Sequence, residues 1–353
     1  MVVVSSLMLA AVLGFAAHRA SVCTVKAVAE VVSTGQAYMF LGFLKTVLWV
    51  MAITIPIMWW LPDAHGTQRS WGMSTAVLLG GFLFGMGAAL NKGCAFSTLS
   101  RLGDGQLSML VTLAGFCTGI YAYARLFEVY TLPRATPLEA ALTTPNVWTI
   151  GLVGALWIWV VREGTRLWRT RRGSTGWWRL VHADRYRLST AAAVLGITSG
   201  VLYALHGTWA YTGTISEEIH HVVAGDPAPS TIRWGLLAAV LFGMGWSSWQ
   251  RRSFRLDWRP SLSWVVSFPA GLLMGFGAAL VPGGNDVLIL HGIPGLSPHA
   301  LPAYLAMLIG IGLPLLLMRV VQGTAMRVDC SSDVCRAGPE RDGASQAVSG
   351  TAD

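Results

Sequence analysis

Cys94 is the residue best placed to do chemistry. It follows Lys92 and Gly93 and precedes a short apolar stretch, AFSTLS, that reads as a half-helix. A cysteine at a helix N-terminus has its thiolate stabilised by free N–H groups and the helix dipole, and Lys92 adds a nearby cation. The plainer alternative is a small buried apolar residue, a common fate of cysteine. The glycine hinge favours the functional reading. Cys23, in AAHRASVCTVKAVAE, stands in a similar place, with His18 and Arg19 before it and Lys26 after it. Either those cations favour the thiolate, or Cys23 is a core residue and the cations only anchor the cytoplasmic side. Cys117 lies mid-span between Gly115 and Gly119, where packing through small residues explains it. Cys330 and Cys335 are spaced C-x4-C in a polar tail with no further ligands nearby, which argues against a zinc site.

The segment around Cys94 occurs twice. GFLFGMGAALNKGCAFSTLSRLGDG (81–105) aligns without gaps on GLLMGFGAALVPGGNDVLILHGIPG (271–295). Gly81/Gly271, Gly85/Gly275, Gly87/Gly277, Ala88/Ala278, Ala89/Ala279, Leu90/Leu280, Gly93/Gly283 and Gly105/Gly295 coincide. Duplication inside apolar segments marks transporter architectures, and broken backbone at membrane depth must be buried in protein or line a cavity. The second copy has Gly284 at the Cys94 position, then Asn285, Asp286 and His291. Pro282 should free N–H groups at Gly283 and Gly284, and Asn285 could add an amide donor to an anion. Asp286 is either a functional mid-membrane carboxylate or a solvated charge at the outer rim; the sequence leaves both open. His206, Trp209, Tyr211, His220 and His221 read as an interfacial belt, because a lone His-His pair does not make a metal site.

The elements that must position these residues are membrane spans. The chain has 353 residues, 12% of them charged, and a mean hydropathy of +0.55; a soluble chain would carry roughly twice that charge. Sixteen tryptophans suit lipid–water interfaces. The expected fold is an all-α polytopic membrane protein with nine spans in two inverted repeats. The spans fall near 2–17, 38–61, 75–91, 106–131, 147–162, 189–206, 231–249, 262–281 and 299–320. The stretches 23–32, 94–101, 213–223 and 285–291 are too short to cross and read as re-entrant half-helices.

Arg162, Arg166, Arg169, Arg171, Arg172, Arg179, Arg185 and Arg187 fall in one loop, and Arg251, Arg252, Arg255 and Arg259 in another. Both loops should be cytoplasmic, while 206–230 and 282–298 lack Lys and Arg and should face outside. Alternation then gives an outer N-terminus and a cytoplasmic C-terminus, with the two motif copies in opposite orientation. The expected divisions are a first repeat (1–146), a connector helix with the basic loop (147–188), a second repeat (189–321) and a disordered cytoplasmic tail (322–353). The net charge of +8 sits in loops and reports orientation, not nucleic-acid binding. No P-loop, zinc-protease helix or nucleophile elbow is present, so neither an enzyme nor a cofactor is expected.

The pattern G-x-x-x-G-x-G-A-A-L-x-x-G-C, repeated in the second half, resembles the YeeE/YedE family of membrane proteins, which carry the sulfur-transport domain and include thiosulfate importers. The resemblance covers about 1–320 and is strongest in 81–105 and 271–314. It implies a nine-span inverted repeat in the cell inner membrane, with short loop-helices meeting centrally and cysteines contacting the sulfur substrate. Cys23 and Cys94 match the first-half cysteines; the second-half cysteine falls at Gly284 and is missing. The resemblance implies transport of a small sulfur-containing anion, thiosulfate-like, or of a related sulfur or selenium compound. The expected substrate path is Cys23, Cys94, Gly93, Lys92, Arg19, Gly283, Gly284, Asn285 and Asp286, with no metal. Arg19 and Lys92 would attract the anion. Membrane lipid and a soluble cytoplasmic sulfur carrier docking on the basic loop are the other partners considered. A membrane redox protein using Cys23 and Cys94 as a dithiol is the alternative from a different class.

Overall fold

The computed structural model describes residues 2–60, 70–127, 145–172, 183–257, 262–322, 326–331 and 333–339. The helices are α1 (Val2–Ala20), α2 (Thr24–Thr34), α3 (Tyr38–Trp60), α4 (Thr75–Leu90), α5 (Ala95–Gly103), α6 (Ser108–Leu126), α7 (Val147–Arg172), α8 (Leu188–His206), α9 (Tyr211–Ala224), α10 (Thr231–Gln250), α11 (Leu262–Leu280), α12 (Asn285–Val287) and α13 (Ala300–Gln322). A π turn, Leu288–Gly292, continues α12. The protein is an all-α polytopic membrane protein. Among the described residues seven segments are long and apolar enough to cross a membrane, or eight if Trp264–Leu280 and Asn285–Gly292, bent by 46°, form one span. Of the nine expected spans, only α10 falls outside this count; its Arg233, glycines and serines dilute its apolar residues.

The four short stretches are helical, as the sequence suggests: α2, α5, α9, and α12 with its π turn. Each starts close behind a longer helix. Ser74 caps α4 by accepting from the Val77 N–H (3.3 Å). The helix ends where Lys92 turns to φ 54°. In the second copy the turn is made by Gly283 at φ 144°, a conformation open in practice only to glycine; a Cβ there would also meet Val287 at 2.6 Å. Matching backbone bonds close the two turns, Gly93 N–H to Ala88 O (3.0 Å) and Gly283 N–H to Ala278 O (2.8 Å).

Small residues let the long helices touch backbone to backbone, the packing device of membrane helices. α4 crosses α11 where a Cβ on Gly80 would meet Gly277 O at 2.9 Å, and a Cβ on Gly87 would meet Ala270 O at 2.6 Å. These contacts are reciprocal, because in the gap-free register Ala270 corresponds to Gly80 and Gly277 to Gly87. The same reciprocity holds one layer out. Gly81 and Gly85 lie against the Ala303 and Met307 carbonyls of α13, while Gly271 and Gly275 lie against Thr112 and Phe116 of α6. α1 packs on α10 and α3 on α8, so each half holds helices of the other.

The tail differs from expectation. Met326–Ser331 and Val334–Pro339 form an antiparallel hairpin, closed by a Cys330–Cys335 disulfide between cross-strand partners. The hairpin rests on α2, where the Val328 N–H donates to Ser33 Oγ (3.4 Å). Asp333 accepts from Leu188 N (2.7 Å) and Ser189 N (3.0 Å) at the start of α8. Cross-linking and backbone capping supply the order that so polar a segment lacks in its composition, so 326–339 is not a disordered tail. Residues 340–353 lie outside the described residues, as do Arg179 and Arg259 of the basic loops.

Candidate functional site

The N-termini of the four short helices meet in the protein interior. Cys23, extended at φ −156°, is the N-cap of α2, and Cys94, at ψ 177°, is the N-cap of α5. Both are free, and both are buried. Cys23 Sγ accepts from the Cys94 N–H (3.5 Å), which joins the two helix starts. Helix N-termini carry unsatisfied donors and partial positive charge, so this pair sits where electron-rich sulfur is favoured.

The second half closes the site from the other side. Asn285 Nδ2 donates to Thr24 Oγ1 (3.2 Å), joining α12 to α2; the buried Asn285 Oδ1 has no partner among the described residues. Asp286 is buried, so it is not the solvated charge that was one of the two alternatives. Its carboxylate accepts from Thr212 Oγ1 (2.6 Å) and Thr212 N (3.2 Å), and so caps α9. The Gly284 N–H donates to Thr212 Oγ1 (3.0 Å). Gly284 is thus pressed against Thr212, and an added Cβ would meet its Cγ2 at 2.8 Å. Tyr304 of α13 is buried nearby, and its hydroxyl has no partner among the described residues.

The expected cations fare differently. Lys92 is exposed on the turn before Gly93. Arg19 is buried, but its donors are taken by Ser247 Oγ (2.9 Å), Gln250 Oε1 and Ala183 O, and its guanidinium stacks over Phe15. It ties α1 to α10 with one donor from each of its three nitrogens, so it is not the free cation of its expected role. The guanidinium within electrostatic reach of Cys23 belongs to Arg101, which donates to Asn91 O (3.0 Å) and Gln106 Oε1 (2.8 Å). Asn91 in turn fixes the hinge by donating to Gly93 O (3.1 Å) and Thr98 Oγ1 (2.9 Å).

Sequence reasoning missed Arg101, Thr24, Thr212 and Tyr304 as parts of this centre. Only Arg101 carried a usable signal, its register with His291. The interfacial belt is also corrected: Trp209 and Tyr211 are core residues. At the hinge after α5, Asp104 Oδ1 meets His18 Nε2 (3.1 Å), Ser248 Oγ (2.7 Å) and Ser253 Oγ (2.8 Å). Burial alone would raise the Asp104 pKa, but these hydrogen bonds outweigh it and hold the carboxyl below its usual value of 3.8. Glu30 lies beside Cys330 and Cys335, yet both sulfurs are in the disulfide, and its carboxylate accepts from the Tyr38 and Met39 N–H groups.

The family described as sulphur transport matches residues 19–313 of this chain. The chain is also similar to the thiosulfate transporter TsuA of Escherichia coli (strain K12), with 24% identity over 242 residues. That alignment takes in 60% of this chain and 66% of the relative, a little under two thirds of its length.

Proposed function

Starting from the fact that this chain belongs to the sulphur transport family, we propose that it carries a small sulfur-containing anion, thiosulfate-like, across the cell inner membrane. The observation that carries the reading is the meeting of two buried thiols with the N-termini of four short helices. An anion at membrane depth loses its water at a cost of many kcal/mol unless donors replace it. Helix-end N–H groups supply those donors without adding a standing countercharge. Cys23 and Cys94 bind the terminal sulfur through S–H···S contacts. If bonding becomes covalent, the cysteine sulfur attacks the terminal sulfur and sulfite leaves with the bonding pair. Sulfite attack on the persulfide then restores thiol and substrate, so nothing is oxidised overall. Gly93 and Gly283 let backbone approach the anion, and Lys92 draws it from the aqueous side.

The architecture behind this reading is an inverted repeat of nine spans, α10 included, with α7 as connector, the N-terminus outside and the C-terminus in the cytoplasm. Reciprocal glycine contacts between the two motif copies support it. The basic stretch expected as a loop is in large part the C-terminal end of α7, which runs to Arg172, and its arginines suit an acidic sulfur-carrier protein on the cytoplasmic face. The test is uptake of radiolabelled thiosulfate into proteoliposomes. Cys94→Ala should lower uptake at least tenfold, and Cys23→Ala should lower it too. Equal uptake with and without Cys94 would end the thiol role. Two free, buried cysteines joined through the Cys94 N–H also favour a second reading, a membrane dithiol. That reading requires Cys23–Cys94 disulfide cycling during turnover, visible as loss of alkylation at both cysteines; full alkylation throughout excludes it.

A further inference from the structure

The centre described above does not use a second cluster of buried polar atoms. His291, on the π turn that continues α12, is 1% exposed, and neither ring nitrogen has a partner among the described residues. It is gripped between the Tyr203 ring of α8 (centroids 4.7 Å apart) and the Trp209 ring that precedes α9 (6.1 Å). Trp209 is 3% exposed and its Nε1 is also unpartnered. One turn before Tyr203, Ser199 is 0% exposed with an unpartnered Oγ. Leaving a buried donor unpaired costs about 1–3 kcal/mol, so a cluster of such groups needs a reason. A π turn lengthens the chain by one residue and re-aims its side chains, and such turns gather at functional sites.

The chemistry of the cluster is specific. Trp209 Nε1 can only donate, neutral imidazole carries one N–H, and the serine hydroxyl adds another donor. Arg233 of α10, which pairs with Glu217, lies within electrostatic reach of His291. Buried donors beside aromatic rings, with no carboxylate hydrogen-bonded to His291, Trp209 or Ser199 among the described residues, suit the oxygens of a small tetrahedral oxyanion. In the gap-free register of the duplicated motif His291 stands where Arg101 stands in the first copy, and Arg101, like Lys26, is a cation near Cys23.

We propose that His291, Trp209 and Ser199 form a second anion station that holds the sulfonate-type oxygens of the substrate in the second half of the path. It is the counterpart of Arg101 in the first half. The proposal deepens the transport reading and rests on it. The station recognises oxygens, whereas the thiols recognise sulfur, so sulfate, which has no terminal sulfur, should bind the station without needing the thiols.

Two measurements on purified protein test this. The first is the half-saturating thiosulfate concentration, KM, for uptake of the radiolabelled anion into proteoliposomes; the second is sulfate binding by calorimetry. Trp209→Phe and His291→Phe keep an aromatic ring at each position and remove the ring nitrogens. Each should raise KM about tenfold and weaken sulfate binding by a similar factor, while Cys94→Ala leaves sulfate binding intact. His291→Gln should recover part of the loss, and with Trp209→Phe it carries the test if His291→Phe does not fold. Unchanged KM and unchanged sulfate affinity in Trp209→Phe and His291→Gln would overturn the station. Absence of thiosulfate uptake by the wild-type protein would instead refute the transport reading, with sulfate binding still deciding the station.

Discussion

Gly284 replaces the cysteine that the family pattern leads one to expect, and the structure gives a reason that can be measured. A Cβ at this position would meet Asp286 Oδ1 at 2.7 Å, Thr212 Cγ2 at 2.8 Å and Thr212 Oγ1 at 3.0 Å. All three atoms belong to the clamp in which Thr212 donates to Asp286 and accepts from Gly284. Gly284 sits at φ −85°, so the backbone itself tolerates a side chain. The penalty in Gly284→Ala is therefore overpacking, of order 1–3 kcal/mol. Thr212→Ser deletes the Cγ2 methyl and keeps the hydroxyl bonds, at about 1 kcal/mol for the lost methyl. Because both changes act on one clash, their costs should not add. In Gly284→Ala/Thr212→Ser the total should fall short of the sum by about 1 kcal/mol or more. Equilibrium unfolding in mixed dodecylmaltoside–SDS micelles measures the four members of the cycle. Additivity within about 0.5 kcal/mol would refute the steric argument, since the clamp would then relax around a new side chain without help. If the cycle couples as expected, Gly284→Cys/Thr212→Ser is the background in which a third thiol can be tested for uptake.

Two further outcomes follow from named contacts. Gly277→Ala puts a methyl group against Gly80 O and Phe84 N at 2.5 Å, both rigid backbone atoms of α4. It should destabilise the α4–α11 crossing by about 1–3 kcal/mol, whereas Gly245→Ala, with open space around it, should be neutral in the same unfolding assay. The depressed pKa of Asp104 means that its bonds to His18, Ser248 and Ser253 stabilise the fold above about pH 4 and are lost as pH falls through the folded value. The melting temperature of Asp104→Asn should lie below wild type at pH 7, and the gap should close below pH 4; a gap independent of pH would contradict this assignment.

Much of the fold was legible because lipid imposes simple rules. Long apolar runs must be helices, since a backbone in hydrocarbon has no other way to satisfy itself. The short stretches at 23–32, 94–101, 213–223 and 285–291 were recognisable because they are helical in pattern yet too short to cross. The hinge at Gly93 and the duplication were visible as residue identities. The hairpin at 326–339 was not legible, because its order comes from a cross-link and from contacts with α2 and α8, elements far away in sequence.

The site divides in the same way. Residue type and spacing alone marked Cys23 and Cys94 as thiols at helix starts, because capping is a local property of the chain. Sequence could not tell that Arg19 spends its donors on Ser247 and Gln250 while Arg101 stands near Cys23, or that Trp209 is core and not belt. Both arginines precede or end a helix, and both look like charges at a membrane edge. Only the packing of α1 on α10 and of α5 beside α2 and α12 decides which donors are used up and which face the interior. Hydrogen-bond partners more than a hundred residues apart leave no trace in local pattern, so the division of labour among these polar groups belongs to the tertiary structure.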